Sequence, residues 1–291
     1  VFVREKNDLM LYIASIAFST LIGNILLWGK ISKYLIPVSI KDIHPFSNLI
    51  GVIQLFIPTI AIQVSAVLDK TMLGLISEAA FENGYYEQAD RIEKICLTIV
   101  SSLGIVMIPR IANVIANKND ERLKYYIYRA YRFIWMMSLP MMFGLISIAD
   151  IFVPWFFGPG YEKTAVLLKL LSILLCVVGL SSVTGVQYFV PAGKQNLYTR
   201  SVIYGLIVNI TMNAILIPQF FSIGAAIATI ISEIVVTGSQ FYMVRKDFSI
   251  KNIFKLSSNY LISSFVMFAV LILLNHYIVN GWQGMIVMTV L

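Results

Sequence analysis

Two charged residues with different chemistry, Asp69 and Lys70, are adjacent inside the apolar stretch QVSAVLDKTMLGLIS at 63–77. A lysine ammonium can attract a phosphate as a mobile point charge, whereas a buried carboxylate needs a cation, a proton or hydrogen-bond donors. Neighbours in a helix point about 100° apart, so the two side chains cannot face one partner. We therefore predict that Asp69 pairs across helices with Arg91 or Lys94, and that Lys70 faces a cavity and attracts an anion.

The same two residues have a simpler interpretation. Lys70 could extend its ammonium group to the lipid headgroups, while Asp69 merely ends the apolar run. Both interpretations stay open at the level of the sequence.

Other polar residues recur at helical spacing within apolar segments, which indicates a polar face turned to the protein interior. Glu233 is the most costly of them, because it lies about ten residues from either end of its segment. A carboxylate there costs at least about 2.5–3.5 kcal/mol on insertion scales, so it must be protonated, paired or in contact with water. The residues predicted to line a substrate cavity are Lys70, Gln63, Thr59, Arg110, Glu233, Asn209 and Asn213.

Several of these residues also have purely structural interpretations. Asn209 and Asn213 lie one helical turn apart and could join neighbouring helices, and Arg110 could snorkel from the end of its segment. Pro58 removes a backbone hydrogen bond near the middle of its segment. We predict a hinge at Pro58, with a static packing kink as the alternative.

The composition identifies the elements that carry these residues. The chain of 291 residues is 58% hydrophobic and 13% charged, with a mean hydropathy of +0.82. A soluble domain would carry about twice that charged fraction. Apolar runs near 20 residues long span a bilayer as helices, because isolated strands would leave backbone polar groups without partners in lipid. The sequence therefore predicts an all-α polytopic membrane protein.

We predict about nine transmembrane helices. The apolar segments are 9–29, 48–75, 90–116, 131–153, 164–190, 199–217, 223–244, 257–279 and 284 onward. Pro58, Pro109 and Pro140 lie inside three of them, where a membrane bundle tolerates kinks.

The connections between the segments alternate in charge. Of the 22 Lys and Arg residues, 15 lie within or next to alternate connections, all on the same side of the membrane. The positive-inside rule places that side in the cytoplasm. The predicted cytoplasmic loops are 30–47, 117–130, 191–198 and 245–256, and loop 76–89 with its acidic residues is predicted to be external. The net charge of +7 thus indicates topology, and nucleic-acid binding is not expected.

The residues offer little for a metal, a cofactor or catalysis. Cys96 and Cys176 lie singly in apolar runs, and His44 and His276 are isolated. The longest predicted loops have about a dozen residues, too few for a catalytic domain, and no catalytic motif is visible. We therefore expect no cofactor, no metal site and no enzymatic activity. Because the chain does not begin with Met and ends inside an apolar run, we expect a fragment of a longer protein.

Four phrases together resemble one family of membrane proteins. They are LIGNILLWGKISKYL (21–35), LFIPTIAIQVSAVLDKTMLG (55–74), NGYYEQADRI (83–92) and SSLGIVMIPRIANVIA (101–116). In this order the phrases resemble the sequences of Wzx-type flippases. These flippases move O-antigen and capsule repeat units, which are oligosaccharides linked to a lipid. These flippases form the polysaccharide transporter branch of a superfamily (MATE/MOP) that includes the MATE multidrug exporters and the lipid II flippase. The rest of the chain matches mainly in helix count and spacing.

The resemblance implies a MATE-like bundle in which two six-helix lobes give alternating access to a central cavity. Residues 1–47 would then end the first lobe and form a cytoplasmic linker, 48–246 would form the second lobe, and 257–291 would be extra C-terminal helices. The implied cargo is an undecaprenyl-diphosphate-linked oligosaccharide, moved across the cell membrane for surface polysaccharide biosynthesis. The implied partners are this lipid-linked cargo and the bilayer, with a polysaccharide polymerase and chain-length machinery as further candidates.

Two other functions stay open at the level of the sequence. A cation-coupled multidrug exporter of the MATE type would use Glu233 or Asp69 as its proton or sodium site. A membrane enzyme, such as a polymerase or an acyltransferase, would need catalytic residues in a sizeable outer loop, which the sequence does not show.

Overall fold

A computed structural model of the chain describes residues 9–31, 49–76 and 80–277. The chain divides into two compact units between Ile50 and Gly51. Helix α1 (Leu9–Ile31) lies in the first unit and agrees with the predicted segment 9–29, and the unit boundary falls two residues after the start of the next helix at Leu49. The ninth predicted segment, from 284 onward, lies outside the described residues.

The second unit is built from helices alone in its described part. They are α2 (Leu49–Ile76), α3 (Ala80–Ala116), α4 (Asp120–Phe157), α5 (Glu162–Leu171), α6 (Leu174–Ser182), the π-helical segment π1 (Val183–Phe189), α7 (Gln195–Val244), α8 (Ile250–Lys255) and α9 (Ser258–Tyr277). Six described helical stretches, with α5 to π1 counted as one, are long and apolar enough to cross a membrane. The predicted all-α, multi-pass membrane class is confirmed.

Two predicted loops prove to be largely helical. Helix α3 begins at Ala80 rather than at 90, and α4 begins at Asp120 rather than at 131. Ion pairs four residues apart stabilise the polar start of α3, and the Asn119 side chain caps α4 by accepting a hydrogen bond from the Arg122 backbone N–H at 3.0 Å. The edge of an apolar run therefore marks membrane depth and not the end of the helix.

Helix α7 contains two predicted membrane segments joined by a sharp reversal. Its 50 residues would measure about 75 Å if straight, more than twice the hydrocarbon thickness. The regular helix is interrupted at Phe221, where φ is 52° and ψ is −127°. A Cβ atom on Gly224 would overlap the backbone of Leu216, so this close approach of the two halves requires glycine. The segments 199–217 and 223–244 were predicted as separate, and they correspond to these two halves.

The second unit has two apolar cores, one towards each end of its helices. One core contains Leu73, Tyr86, Ala149 and Ile217 among its buried residues, and the other contains Ile111, Tyr131, Phe189 and Val244. Along α3 and α7, the buried Glu93 and half-buried Glu233 lie between the cores. Many other apolar side chains are exposed, including Ile105 at 77%, as lipid-facing helices require.

The helix connections define two ends of this unit. We call the end formed by the start of α3, the end of α4, the start of α5 and the α7 reversal the acidic end. The end formed by residues 117–132, 190–200 and 245–260 is the basic end. Pro58, Pro109 and Pro140 lie inside α2, α3 and α4, as predicted.

Candidate functional site: a polar layer around Asp69

Asp69 lies at the centre of a polar network that joins three long helices. The residue is buried, with only 4% of its surface exposed. The Asn209 and Asn213 amides donate to its Oδ1 at 2.9 and 2.5 Å, and Thr229 Oγ1 lies 2.9 Å from Oδ2. The Tyr86 hydroxyl donates to the same Oδ2 at 3.5 Å. Four neutral groups from α3 and both halves of α7 therefore solvate a carboxylate carried by α2.

Secondary hydrogen bonds extend this network and leave one atom unsatisfied. Ser65 Oγ donates to Asn209 Oδ1 at 3.2 Å, and the Asn213 amide also donates to that oxygen at 3.2 Å. The Thr229 hydroxyl lies 2.9 Å from both Asp69 Oδ2 and the Ala225 carbonyl oxygen, yet it has one proton to donate. Asn213 Oδ1 is buried without a hydrogen-bond partner among the described residues, which leaves a spare oxygen acceptor in the layer.

A cavity of about 200 Å³ adjoins the network between α2, α3, α6 and α7. Its lining includes the acids Asp69, Asp90, Glu93 and Glu233 and the cations Lys70 and Lys94, so carboxylates outnumber ammonium groups around this space. Glu93 is buried and its Oε1 has no hydrogen-bond partner in the described chain. Glu233 also lines a second cavity of about 180 Å³ beside Ser65 and Tyr198. This arrangement can hold protons or a cation more readily than an anion.

Lys70 is the residue that makes the cross-helix ion pair from α2. Its ammonium group contacts Glu87 and lies 3.2 Å from Asp90 Oδ2, both on α3. Its side chain is 32% exposed at the edge of the cavity. The ammonium group is therefore already neutralised by two carboxylates, and the predicted role as a mobile charge for an anion requires these pairs to open.

The predicted pairing of Asp69 with Arg91 or Lys94 is corrected by the observed contacts. Arg91 Nε donates to Glu87 at 2.9 Å, and Lys94 Nζ donates to Asp90 at 2.7 Å. Both partners lie one turn earlier on the same helix, and both cations are exposed. Local partners four residues away satisfy them, while Asp69 lies deeper and binds neutral donors.

The other predicted site residues lie in different places. Asn209 and Asn213 are fully buried at Asp69, and Glu233 lines both cavities. Thr59 and Gln63 are exposed on α2 and belong to neither cavity lining. Arg110 is exposed near the basic end of α3. Pro58 is buried within α2, and its action as a hinge stays a prediction.

Sequence reasoning missed Tyr86 and Glu93, which lie on the interior face of α3. The prediction from the sequence concerned Arg91 and Lys94 on this helix, and the side chains of both are exposed. The interior stripe instead runs through Tyr86, Asp90, Glu93 and Leu97, at steps of four, three and four residues. It combines aromatic, acidic and aliphatic residues, so a search for polar periodicity alone does not find it. A search for carboxylates in register with a buried tyrosine would have found it.

A separate polar network closes the basic end between π1, α7 and the segment after it. Lys194 Nζ lies 2.7 Å from Asp247 Oδ2 and 2.8 Å from the Tyr188 hydroxyl, which donates to the same carboxylate oxygen at 2.8 Å. Partial burial raises the pKa of Asp247, but the hydrogen bonds from Lys194 and Tyr188 outweigh it and hold that pKa below its usual value. Burial likewise lowers the pKa of Lys194, and its bonds to Asp247 and Tyr188 raise it above the usual value overall.

Fold and site together define a multi-pass α-helical membrane protein with a polar layer inside its second unit. Residues 11–166, more than half of the chain, match the family described as polysaccharide biosynthesis protein. The chain belongs to this family. The resemblance drawn from the four phrases is confirmed at this level.

Two relatives whose names indicate a function share less than a quarter of their aligned residues with this chain. The chain is 24% identical over 255 residues to a putative O-antigen transporter of Escherichia coli K12, which covers 85% of this chain and 60% of that protein. It is 22% identical over 204 residues to a probable low-salt glycan biosynthesis flippase of Haloferax volcanii, covering 70% of this chain and 43% of the relative. The chain therefore spans about two fifths to three fifths of the length of these two relatives.

A solved structure with a similar fold is the lipid II flippase MurJ in an inward closed conformation. The TM-score is 0.66 at 23% identity, and the alignment covers 93% of this chain and 59% of the MurJ chain. At that identity the match establishes the fold alone.

Proposed function

We propose that the protein flips undecaprenyl-diphosphate-linked oligosaccharide repeat units across the cell membrane for surface polysaccharide biosynthesis. The observation that carries the proposal is membership of the polysaccharide biosynthesis family in a chain whose fold is that of a lipid-linked precursor flippase. The names of the two distant relatives, a putative O-antigen transporter and a probable glycan flippase, support the same activity.

The described residues favour transport over catalysis on physical grounds. From 80 to 277 the connections between helices are short, for example 117–119, 158–161 and 190–194, and none of these can hold a catalytic domain. The described interior instead offers a polar layer between two apolar cores. We propose that two lobes alternate access to the cargo, with residues 48–246 forming the second lobe.

The cargo sets three requirements that different parts of the chain would meet. A diphosphate needs cations, a sugar needs neutral hydrogen-bonding groups, and a polyprenyl tail needs an apolar flank. We propose that Thr59 and Gln63, exposed on α2, face the cargo cavity and that Arg110 attracts the diphosphate. Pro58 would bend α2 as access alternates. A polysaccharide polymerase and chain-length machinery are proposed as partners on the product side.

The test is complementation of a bacterial strain that lacks its own O-antigen flippase. Expression of the full-length protein should restore long-chain surface polysaccharide and clear the undecaprenyl-diphosphate-linked glycan that accumulates in the cytoplasmic leaflet. Because cargo sugars differ, a negative result counts only in the native host, with the native gene deleted. If glycan export in that host is unchanged by the deletion, the proposed function is wrong.

A second candidate function is coupling of transport to a cation, and a specific observation favours it. The carboxylate of Asp69, the free Oδ1 of Asn213 and the hydroxyl of Thr229 place several oxygen ligands together in a buried layer. Hard cations prefer such oxygen ligands. Rotation of the Asn213 amide by 180° about its terminal bond would turn its oxygen toward Asp69, where both oxygens could contact one cation.

This candidate is tested by thermal unfolding of the full-length protein in detergent. Sodium should raise the unfolding temperature relative to choline, and Asp69→Asn should remove that increase. Glu233→Gln is the matched comparison, because Glu233 lines the same cavity but lies outside the Asp69 hydrogen-bond network. If sodium has the same effect on the wild-type protein and on Asp69→Asn, the cation does not bind at this carboxylate.

A further inference from the structure

We propose that the basic end carries a binding site for the headgroup of an anionic phospholipid, formed by Arg132 on α4 and Lys255 on α8. Both residues line one open cavity of about 570 Å³ between α4 and the α8–α9 corner. The proposal rests on the membrane class of the protein and not on its cargo. The cavity shares no lining residue with the cavity beside Asp69.

The charge of the cavity selects an anion. Arg132 and Lys255 are its charged lining residues, and all the others are uncharged. Neither cation forms an ion pair with any residue in the part of the chain that the structure describes. An arginine fork and a lysine ammonium facing one space suit a phosphate group. A choline or ethanolamine headgroup would add a third cation to a space without an acidic side chain.

Neutral groups complete the chemistry expected of a headgroup site. Asn252, Ser258 and Asn259 also line the cavity and supply amide and hydroxyl groups for a glycerol moiety. The position is fixed by packing, because Trp135 donates a hydrogen bond to the Ile253 carbonyl at 3.0 Å. The Ser249 backbone N–H donates to the Tyr128 hydroxyl at 3.0 Å. These two bonds hold the short helix α8 against α4, so that the cavity is a formed feature of the corner.

The surface next to the cavity distinguishes a lipid from a free phosphate. From Asn259 an apolar strip continues along one face of α9 through Ile262, Val266, Val270 and Leu273, at helical spacings of three and four. All four are exposed, from 43% to 63%. The strip from Asn259 to Leu273 is about 21 Å long at 1.5 Å per residue, enough to lie along an acyl chain through one leaflet. Headgroup and chain would thus bind continuous surfaces.

The test measures binding of phosphatidylglycerol to the full-length purified protein in neutral detergent. In the variant Arg132→Gln/Lys255→Gln we expect about 30-fold weaker binding, from loss of two lysine- or arginine-to-headgroup attractions. The matched control is Arg129→Gln/Lys251→Gln, which removes the same charge from the same two helices at exposed positions outside the cavity lining. The control should lose less than about 3-fold. Equal losses of lipid affinity in both variants would mean that the lipid is attracted by the overall positive charge of this end. Unchanged affinity in the cavity variant would mean that the cavity does not bind the lipid. Either result overturns the proposal.

Further binding measurements on the wild-type protein distinguish a phospholipid from a free phosphate as the ligand. Wild-type protein should bind phosphatidylglycerol at least about tenfold more tightly than phosphatidylcholine, which lacks net charge. Glycerol phosphate or inorganic phosphate in large excess should not displace the lipid. Displacement by either soluble anion, or equal binding of the two phospholipids, would contradict an anionic lipid site. If the cavity variant loses undecaprenyl diphosphate but keeps phosphatidylglycerol, the cavity binds the cargo headgroup and the proposal is wrong.

Discussion

The acidic end and the basic end of the second unit hold their charges in opposite ways. At the acidic end Lys70, Lys94, Lys163 and Lys169 each contact a carboxylate within the described chain. At the basic end one ion pair, Lys194 to Asp247, is present among the described residues. Exposed cations such as Lys124, Arg132 and Lys255 have no such partner there. One end is neutralised internally and the other leaves its charge for molecules outside the chain.

The uneven distribution of Lys and Arg along the sequence is thus accompanied by a difference in how the cations at the two ends are paired. Cations at the acidic end pair between helices as well as within them, so they fix the relative positions of α2, α3, α5 and the α7 reversal. Cations at the basic end fix little in the fold, because exposed charges without partners contribute little to stability. They are available instead to anionic headgroups, which attract basic residues next to a membrane span.

The largest expected effect concerns which end faces the cytoplasm. In a background with Cys96 and Cys176 replaced by Ser, Asp120→Cys at the basic end should react with an impermeant thiol reagent only after the membrane is opened. Glu162→Cys at the acidic end should react in intact cells, because its side chain is exposed near the start of α5. Labelling of position 120 in intact cells would show that the basic end faces outward, which contradicts the predicted orientation.

The next effect is loss of the most highly connected acid at the acidic end. Glu82 is 9% exposed, accepts from Lys163 at 2.5 Å through Oε1, and accepts from the Ser222 hydroxyl and backbone N–H at 2.6 and 3.1 Å through Oε2. Glu82→Ala leaves the half-buried ammonium group of Lys163 and the start of the second half of α7 without their acceptor. We expect about 3 kcal/mol lower free energy of unfolding, measured by denaturation in detergent.

The control for this prediction is an acid at the basic end. Glu121 is exposed at the start of α4, so Glu121→Ala should change the free energy of unfolding by no more than about 0.5 kcal/mol. If the free energy of unfolding falls equally in Glu82→Ala and Glu121→Ala, ion pairs within the chain do not stabilise the acidic end more than the basic end.

Much of the fold follows from apolar run length and charge alternation, because lipid forces backbone groups into helices. The helix starts at Ala80 and Asp120 do not follow, because each precedes its apolar run. Glu82 in the first turn of α3 binds Lys163 and Ser222 elsewhere in the chain, and the Asn119 side chain caps α4. Asn209 and Asn213 were predicted to line a cavity and Asp69 was predicted to pair with a cation on the next helix, but contact between these three residues was not predicted. The contacts of Asp69 with Asn209 and Asn213 depend on how α2 packs against the first half of α7. The contact with Thr229 depends on the reversal at Phe221, which brings the second half of α7 to the same carboxylate, and helical spacing in the sequence shows neither.

The same limit explains the exchange of roles between Asp69 and Lys70. Their 100° separation correctly predicts different partners, but partner identity depends on depth. Lys70 lies near the polar start of α3, where Glu87 and Asp90 are available, whereas Asp69 lies toward amides and hydroxyls. A sequence shows neither the rotation of α2 nor its offset along α3.

A smaller effect tests Lys70 itself. Lys70→Met should lower stability by about 1–2 kcal/mol and lower membrane abundance, because Glu87 and Asp90 lose a shared cation. Each carboxylate keeps one partner, Arg91 or Lys94, which limits the loss. Glycan export per molecule of protein should then be nearly unchanged in the complementation strain. Normal abundance with export abolished would instead favour the prediction that Lys70 faces a cavity and attracts an anion, which would then be the diphosphate of the cargo.

The smallest effect belongs to the ion pair of Lys194 with Asp247 at the basic end. The pKa of Asp247 is lower in the folded protein than its usual 3.8, so the stabilisation is present above that value and is lost as pH falls through the folded pKa. The pKa of Lys194 is raised above 10.5, so its share is complete below that value and is lost as pH rises through the folded pKa. The pair therefore stabilises the fold between about pH 4 and 10.5.

Its magnitude should be small, because the side chains are 38% and 37% exposed and solvent screens the pair. We expect well under about 1 kcal/mol at neutral pH and weakening in high salt. A double-mutant cycle with Lys194→Met and Asp247→Asn at pH 7 measures the coupling, which should fall as the pH is lowered through the folded pKa of Asp247, a value below 3.8. The cycle for Lys163→Met and Glu82→Gln at the acidic end should give a larger coupling at pH 7, because that carboxylate is only 11% exposed. A coupling at Lys194–Asp247 that equals or exceeds it would show that the basic end also depends on internal neutralisation.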